Sequence, residues 1–401
     1  MSTFSCPVVR VSEVIEHPNA DRLSIVKLEG LGFTCISGKL EDGSPRYKAG
    51  DFVVYIPSAA MLPEWLLKEM DFWNDETGKG TLAGSDGNRV KPLKLRGIFS
   101  EGVLFPVEWD NNLANLGSGS VVSTPSETPG INSLWQVELG QDVAELLSIT
   151  KYSPPIPVGM SGEVANMFGH TVKFDFDRWE QNTELFDPGE PVIASEKLHG
   201  SMCAILYEPN LNHPDMFGSK GEFVVHSKGL GAQGLAFKNN DANTGNLYVR
   251  TLKSLLDAGL ENRLKESFDF DAVKNIALIG EIFGLGVQDL HYGLDKPGFR
   301  VFDIRIENVF DTRYLTQDKV KELLGKLGID MVPTVYEGPF DVAELEKVRD
   351  GKTMLGGANI REGIVVRSAT ETHHAVHGRK ICKFISPDYL LRKSKDATEY
   401  Q

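Results

Sequence analysis

The 401-residue sequence is poor in cysteine, and its four cysteines form no pattern. Cys6, Cys35, Cys203 and Cys382 include no C-x-x-C pair and no histidine at finger spacing, which argues against a zinc module and a disulfide framework. A reducing compartment fits that usage. No apolar run approaches the ~18 residues of a membrane span, and the first residues lack a basic-then-apolar leader. The expectation is a soluble, cytoplasmic protein without membrane contact. An excess of positive charge is also missing: 42 Lys+Arg stand against 56 Asp+Glu, for a net charge of −14. That balance speaks against coating nucleic acid non-specifically but leaves room for a local basic groove. No internal repeat of roughly 20–50 residues is visible. The tripeptide Gly351-Lys352-Thr353 is not a P-loop, because Glu346 stands where that motif needs glycine. No G-x-G-x-x-G follows a strand either.

What is present is ordinary globular composition, 41% hydrophobic and 24% charged. At roughly 150 residues per domain the length implies two or three domains. The clearest break is KYSPPIPVG, from Lys151 to Gly159, whose prolines forbid a regular helix and favour an extended tether. This gives a first domain over 1–150, a linker over 151–158 and a second domain over 159–401. The first domain reads as short strands at Ser5–Ser12, Arg22–Leu28, Phe33–Ser37 and Asp51–Ile56, separated by Gly, Pro and Asp turns. Such spacing predicts a small β-barrel, with Asn74–Val90 and Asp110–Pro129 as surface loops. In the second domain, strand-like runs at Pro191–Ser195, Met202–Tyr207, Phe223–His226, Ile276–Ile282, Phe299–Arg305 and Gly363–Arg367 alternate with helical spacing. The helical segments are Tyr248–Leu256, Asp318–Leu327 and Asp341–Val348, the last opened by an Asp cap. The fold class is α+β.

The segment PVIASEKLHGSMCAILYE predicts a strand, then Glu196-Lys197, a turn at His199-Gly200 and a second strand, placing Lys197 at the mouth of a hairpin. A lone lysine beside a turn is usually plain surface. Here it is followed in order by His226-Ser227-Lys228-Gly229, by Gly280-Glu281-Ile282-Phe283-Gly284, by Phe302-Asp303, by Glu362-Gly363-Ile364-Val365-Val366-Arg367, and by Lys380 and Lys383 in RKICKF. In these motifs the chain resembles the covalent nucleotidyltransferases, the superfamily of polynucleotide ligases and capping enzymes. The resemblance implies an adenylyltransferase domain of the ATP-grasp-like ligase type, built from antiparallel sheets with helices. It implies Lys197 as nucleophile toward ATP, with His199 and Lys383 as further catalytic residues. Glu196, Gly200, Lys228, Glu281, Phe302, Lys380 and Lys383 would join Lys197 in holding the nucleotide, Phe302 by stacking on adenine. Glu281 and Glu362 would hold Mg2+ or Mn2+, and Lys228 would also grip substrate phosphate. A lysine attacks only when neutral, so an ordinary pKa near 10.4 must be pulled down by neighbouring cations.

Two features choose a branch. Ligases for DNA and capping enzymes carry an OB domain after the paired lysines, whereas here only a short tail follows Lys383 and the expected barrel lies in front. That order resembles the fifth family of ATP-dependent RNA ligases, and Glu16 to Gly30 is similar to OB-type tRNA-binding modules. Such barrels bind single strands with basic and aromatic side chains. Lys94 and Arg96 are the leading candidates, beside Lys27, Lys39, Arg46, Lys48, Arg89 and Lys91. The second feature is His199, where many relatives have aspartate; K-x-H-G is similar to the RNA-editing branch. Lys380-Ile-Cys-Lys383 is one residue wider than the usual K-x-K, so Arg379 competes with Lys380 for the first position. The resemblance implies an ATP-dependent RNA ligase that seals 5′-phosphate and 3′-OH ends, as a monomer acting on RNA or nicked RNA/DNA duplex, with an end-healing enzyme as a further partner. Rival readings are a capping-type or DNA-ligase-type transferase, or an inactive nucleic-acid-binding homologue.

Overall fold

A computed structural model describes residues 4–107, 120–123, 134–308 and 310–392. Most of the expected loop Asp110–Pro129 lies outside the described residues. The chain divides into two compact units. One comprises residues 4–153 with Trp179–Glu184; the other comprises Pro154–Arg178 and the residues from Leu185 onward.

The N-terminal unit is built on a five-stranded antiparallel sheet in the order Val103–Val107, Phe52–Ile56, Val8–Glu16, Leu23–Leu28, Leu31–Gly38. Val53, Val54, Tyr55 and Ile56 are buried in succession because apolar clusters cover both faces of the sheet. Val54 and Ile56 face Leu66 and Leu67 of the Glu64–Glu69 helix, while Val53 and Tyr55 face Phe33 and Leu104. The expected closed barrel is not found: no ladder joins the two edge strands among the described residues. Single hydrogen bonds span that gap, from the Glu101 N–H to the Thr34 carbonyl at 3.0 Å and from the Ile36 N–H to Ser100 Oγ at 2.9 Å. Trp179–Glu184 packs beside the third of the expected strands, where a Cβ on Gly32 would come within 3.1 Å of the Glu180 Cα.

The C-terminal unit is built on two larger antiparallel sheets. The four-stranded sheet runs Thr334–Pro339, Pro191–Lys197, Gly363–Ser368, Ile381–Ile385; the five-stranded sheet runs Phe223–Ser227, Gly200–Tyr207, Val273–Phe283, Gly298–Asn308, Thr312–Tyr314. Strand alternation separates two cores. Cys203, Ile205 and Tyr207 pack against the helices Leu247–Asp257, Leu260–Ser267 and Gln317–Leu327. Ala204 and Leu206 face the other way, toward Val365 and Ile381 of the four-stranded sheet. The Asp341 cap is present, its carboxylate accepting the N–H groups of Ala343 at 2.9 Å and Glu344 at 3.2 Å. One local expectation is corrected. The strands on either side of Leu198-His199 belong to different sheets, so this turn is a crossing between sheets and not a hairpin. Each strand already has other partners, Lys197 with Gly363 and Gly200 with Phe283.

Candidate active site

Lys197 ends the second strand of the four-stranded sheet, and the crossing at Leu198-His199 holds it at the edge of the space between the sheets. Its Nζ donates to Glu362 Oε1 at 2.5 Å. Glu362 immediately precedes Gly363, the register partner of Lys197, so the sheet itself brings the two together. Burial alone would raise the Glu362 pKa, but the charge of Lys197 and the hydrogen bond to His199 outweigh it and hold the carboxyl at about 2. Glu281 lies opposite Met202 in the five-stranded sheet. Burial pushes its pKa up to about 8, with Lys197 pulling it down and Glu362 pushing it further up. No hydrogen-bond partner of its carboxylate occurs among the described residues.

Lys228 and Lys383 come to the same place from other elements. Lys228 opens the short helix after Phe223–Ser227 and donates to Asp175 Oδ1 at 2.7 Å. Lys383 is central in Ile381–Ile385, opposite Val365, with its Nζ 5.7 Å from the Phe176 ring centroid. Its pKa falls to about 7 through burial, then Lys228, Lys197 and Arg178, against the opposing pull of Asp175. Phe302 occupies a bulge: Gly280 pairs with Val301 and Ile279 with Asp303, leaving Phe302 the extra residue. It packs against the apolar cluster that holds Phe174, Val365 and Ile381, as Phe176 and Met202 also do, and its ring centroid is 5.5 Å from that of Phe174. Beneath it, buried Arg367 donates to the Phe302 carbonyl at 3.1 Å. Gly200 is required by close approach, since a Cβ there would lie 2.1 Å from the Ile282 carbonyl oxygen.

Not every candidate joins this group. Lys380 pairs with Glu190 at 2.7 Å and Asp187 at 3.5 Å, outside the Ile381–Ile385 strand. Three positions from Lys383, it is out of phase with the two-residue strand period, and Ile381 has the place in phase. Arg379 does not substitute: it is held by Asp303 and by Glu371 at 2.6 Å, under the ring of Tyr314. The Glu196 carboxylate accepts the Met354 N–H at 2.8 Å and lies 3.9 Å from Arg361 Nε. It is adjacent to Lys197 on the strand and so projects from the opposite face. Lys94 and Arg96 belong to the N-terminal unit, exposed on the hairpin of Leu93–Leu95 and Ile98–Ser100. Its turn residues Arg96 and Gly97 have φ of 46° and 95°, a type I′ pattern. Other basic candidates in this unit face acids: Lys27 meets Glu13 at 3.0 Å and Lys39 meets Glu16 at 2.5 Å.

The surroundings of His199 were not foreseen from the sequence. The ring Nε2 hydrogen-bonds Asp289 at 2.6 Å, Nδ1 hydrogen-bonds the Tyr389 hydroxyl at 2.7 Å, and Nδ1 lies 3.7 Å from Glu362 Oε2. Burial works to lower the His199 pKa, yet the two carboxylates, Asp289 and Glu362, leave it raised. Asp289 comes from an irregular loop and Tyr389 from a helix of four residues, so no periodicity marks either. Asp175 and Arg178 were also missed. The alternation in Lys173-Phe174-Asp175-Phe176-Asp177-Arg178 is the signal that could have found that extended segment.

A divalent cation fits this donor set in one form only. No group of three or more His, Cys, Asp or Glu is arranged as a metal cage among the described residues. Glu281 and Glu362 are two oxygen donors that sense each other's charge, and two carboxylates completed by phosphate oxygens and water suit Mg2+ or Mn2+.

Residues 190–385 match the family model for RNA ligase, and residues 6–107 match a model for an OB-fold domain. The chain thus resembles an OB-fold domain followed by an RNA-ligase domain. It is similar over nearly its whole length to an RNA ligase from Naegleria gruberi. A mutant of that enzyme with AMP and Mn superposes with a TM-score of 0.69 at 21% identity, covering 97% of this chain and 98% of that one. A second mutant, with ATP and Mn, gives 0.67 at 21% over 96% and 98%, and the enzyme with PPi gives 0.67 at 20% over 97% and 98%. These likenesses establish a shared fold. No curated protein sequence matches the chain. No helix among the described residues is long and apolar enough to cross a membrane.

Proposed function

We propose that the chain is an ATP-dependent RNA ligase of the fifth RNA-ligase family, working through a lysyl-adenylate on Lys197. The observation that carries this reading is the convergence around Lys197 of Glu362, His199, Glu281, Lys228 and Lys383, which arise from five separate stretches of sequence. In the first step the Lys197 Nζ loses its proton and attacks the α-phosphorus of ATP. The N–P bond forms as the P–O bond to the β-phosphate breaks, and pyrophosphate leaves with that electron pair. Lys228 and Lys383 supply positive charge where the transferred phosphate gains negative charge. The apolar group around Phe302 accepts the base, whose stacking is worth about 1–3 kcal/mol. Glu281 and Glu362 would hold the Mg2+ or Mn2+, whose chemistry is to neutralise phosphate charge. AMP then passes to a polynucleotide 5′-phosphate, and a 3′-OH displaces AMP to make the phosphodiester.

Nicks with a ribonucleotide 3′-OH end are the proposed substrates, with the enzyme acting as a monomer beside a separate end-healing activity. Residues 1–150 are proposed to hold the nucleic acid through Lys94 and Arg96, and 159–401 to carry the chemistry. The test supplies α-labelled ATP with Mn2+ and chases the labelled protein with a nicked duplex bearing a 5′-phosphate. The expected result is label on the protein, then on the 5′-phosphate strand, then sealed product. Label that never reaches protein, or reaches Lys197→Ala as fast as wild type, would overturn the proposal.

A further inference from the structure

The hydrogen bonds of His199 do not end at its first partners. Asp289, which takes the ring Nε2, is gripped on its other side by Arg392, with Nε to Oδ2 at 3.1 Å and Nη2 to Oδ1 at 3.3 Å. The Arg392 guanidinium lies 3.7 Å over the ring centroid of Tyr389, and its Nη1 donates to the Tyr389 carbonyl at 2.8 Å. The Tyr389 hydroxyl returns to His199 Nδ1. The four side chains close a ring, His199 to Asp289 to Arg392 to Tyr389 and back. Their sources are the crossing after the nucleophile, the loop between Val273–Phe283 and Gly298–Asn308, and the segment after the last strand of the four-stranded sheet. The side chains of His199 and Asp289 are 2% and 4% exposed, and Tyr389 is 6% exposed, so water does not compete for these bonds. Two backbone bonds tie the same parts together: the His199 N–H donates to the Tyr292 hydroxyl at 2.6 Å, and the Ser386 N–H to the Glu362 carbonyl at 2.9 Å.

With both ring nitrogens engaged, the imidazole cannot turn without breaking a buried hydrogen bond. Its Nδ1 edge therefore stays beside Glu362 Oε2, while Glu362 Oε1 holds Lys197. We infer that Asp289, Tyr389 and Arg392 are positioning residues, which fix His199 and through it set the direction in which Glu362 presents the Lys197 amine. Apolar packing would fill this volume without burying four polar groups, so the ring is suited to orientation more than to stability. The inference rests on the reading of Lys197 as the adenylated residue.

The test is single-turnover labelling by α-labelled ATP of the full chain carrying Tyr389→Phe, which keeps the aromatic ring and deletes only the hydroxyl. The expected result is a labelling rate lower by about 10- to 100-fold, the scale for a misplaced reacting group. The ATP concentration giving half-maximal rate is expected to be unchanged. In a His199→Ala background, Tyr389→Phe should have no further effect, because its action passes through His199. Arg392→Gln, which leaves the phenol in place, should slow labelling in the same manner. A low-field imidazole N–H proton resonance, lost in Asp289→Asn and shifted in Tyr389→Phe, reads the ring without activity. Wild-type rates in Tyr389→Phe, or an equal slowing with and without His199, would overturn the inference while leaving wild-type labelling, and so the proposed function, intact. Absence of labelling in wild type would overturn the proposed function and the role given to the ring together.

Discussion

At the scale of single residues, two lysines near the end of the C-terminal unit are sharply distinguished. Lys383 sits among cations, whereas Lys380 is neutralised by Glu190 and Asp187. Lys383→Ala should slow lysyl-adenylate formation by about 10²- to 10³-fold, the cost of removing one preorganised charge donor. Lys380→Ala should leave that rate close to wild type; labelling kinetics of the two variants check the contrast. The lowered pKa of Lys383, about 7, also has a measurable sign. At pH 8 its ammonium is mostly deprotonated in the free protein, and an adjacent phosphate raises its pKa, so ATP binding should take up a proton. Calorimetry of ATP binding in EDTA, repeated in buffers of different ionisation enthalpy, should show uptake that Lys383→Gln removes. For stability the same shift works in one direction. Between about pH 7 and the ordinary lysine value near 10.4 the unfolded chain holds the proton that the folded chain has lost, so this group makes stability rise with pH there. The ordered motifs made Lys197, Glu281, Glu362, Lys228 and Lys383 legible in the sequence because each has a distinctive residue type beside a glycine or a strand. Asp289 and Tyr389 were not legible: a carboxylate in a loop and a tyrosine in a single helical turn gain meaning only from contacts across the fold.

At the scale of elements, strands were read more accurately than connections. Expected Met202–Tyr207 and Gly363–Arg367 fall within observed Gly200–Tyr207 and Gly363–Ser368, since β-branched and apolar runs report burial directly. The Lys197-His199 connection was misread because a short turn looks alike whether the chain folds back or crosses to a second sheet. The bulge at Phe302 was likewise invisible, being a property of pairing and not of one strand. It depends on Gly280, where a Cβ would lie 2.5 Å from the Arg300 carbonyl oxygen and 2.6 Å from the Phe299 ring. Gly280→Ala should therefore destabilise the C-terminal unit by about 1–3 kcal/mol, the usual cost of overpacking, and weaken ATP binding by shifting the Phe302 strand. Thermal melting and the half-saturating ATP concentration measure the two effects.

At the scale of the whole molecule, the charge of −14 is compatible with a polynucleotide substrate if binding rests on a few exposed cations. In the N-terminal unit several basic side chains face acids, Lys27 with Glu13 and Lys39 with Glu16 among them, while Lys94 and Arg96 stand on an exposed hairpin. Replacing both with Glu should weaken binding to a nicked RNA duplex and make its dependence on salt shallower, by about one unit of log–log slope for each phosphate that is no longer neutralised. Titrations over a range of salt concentrations would show it. The two compact units part at residues 153 and 154, inside the proline-rich stretch Lys151–Gly159, while the return of Trp179–Glu184 to the N-terminal unit was not legible, because a six-residue excursion carries no periodic signal. The proposed chemistry requires that Lys197 become covalently adenylated. Mass spectrometry of the full chain after incubation with ATP and Mn2+, followed by peptide mapping, tests it most directly. The expected result is one adenylate per chain, located on the peptide at Lys197 and released by added pyrophosphate. An unmodified chain, or an adenylate on a different residue, would contradict it.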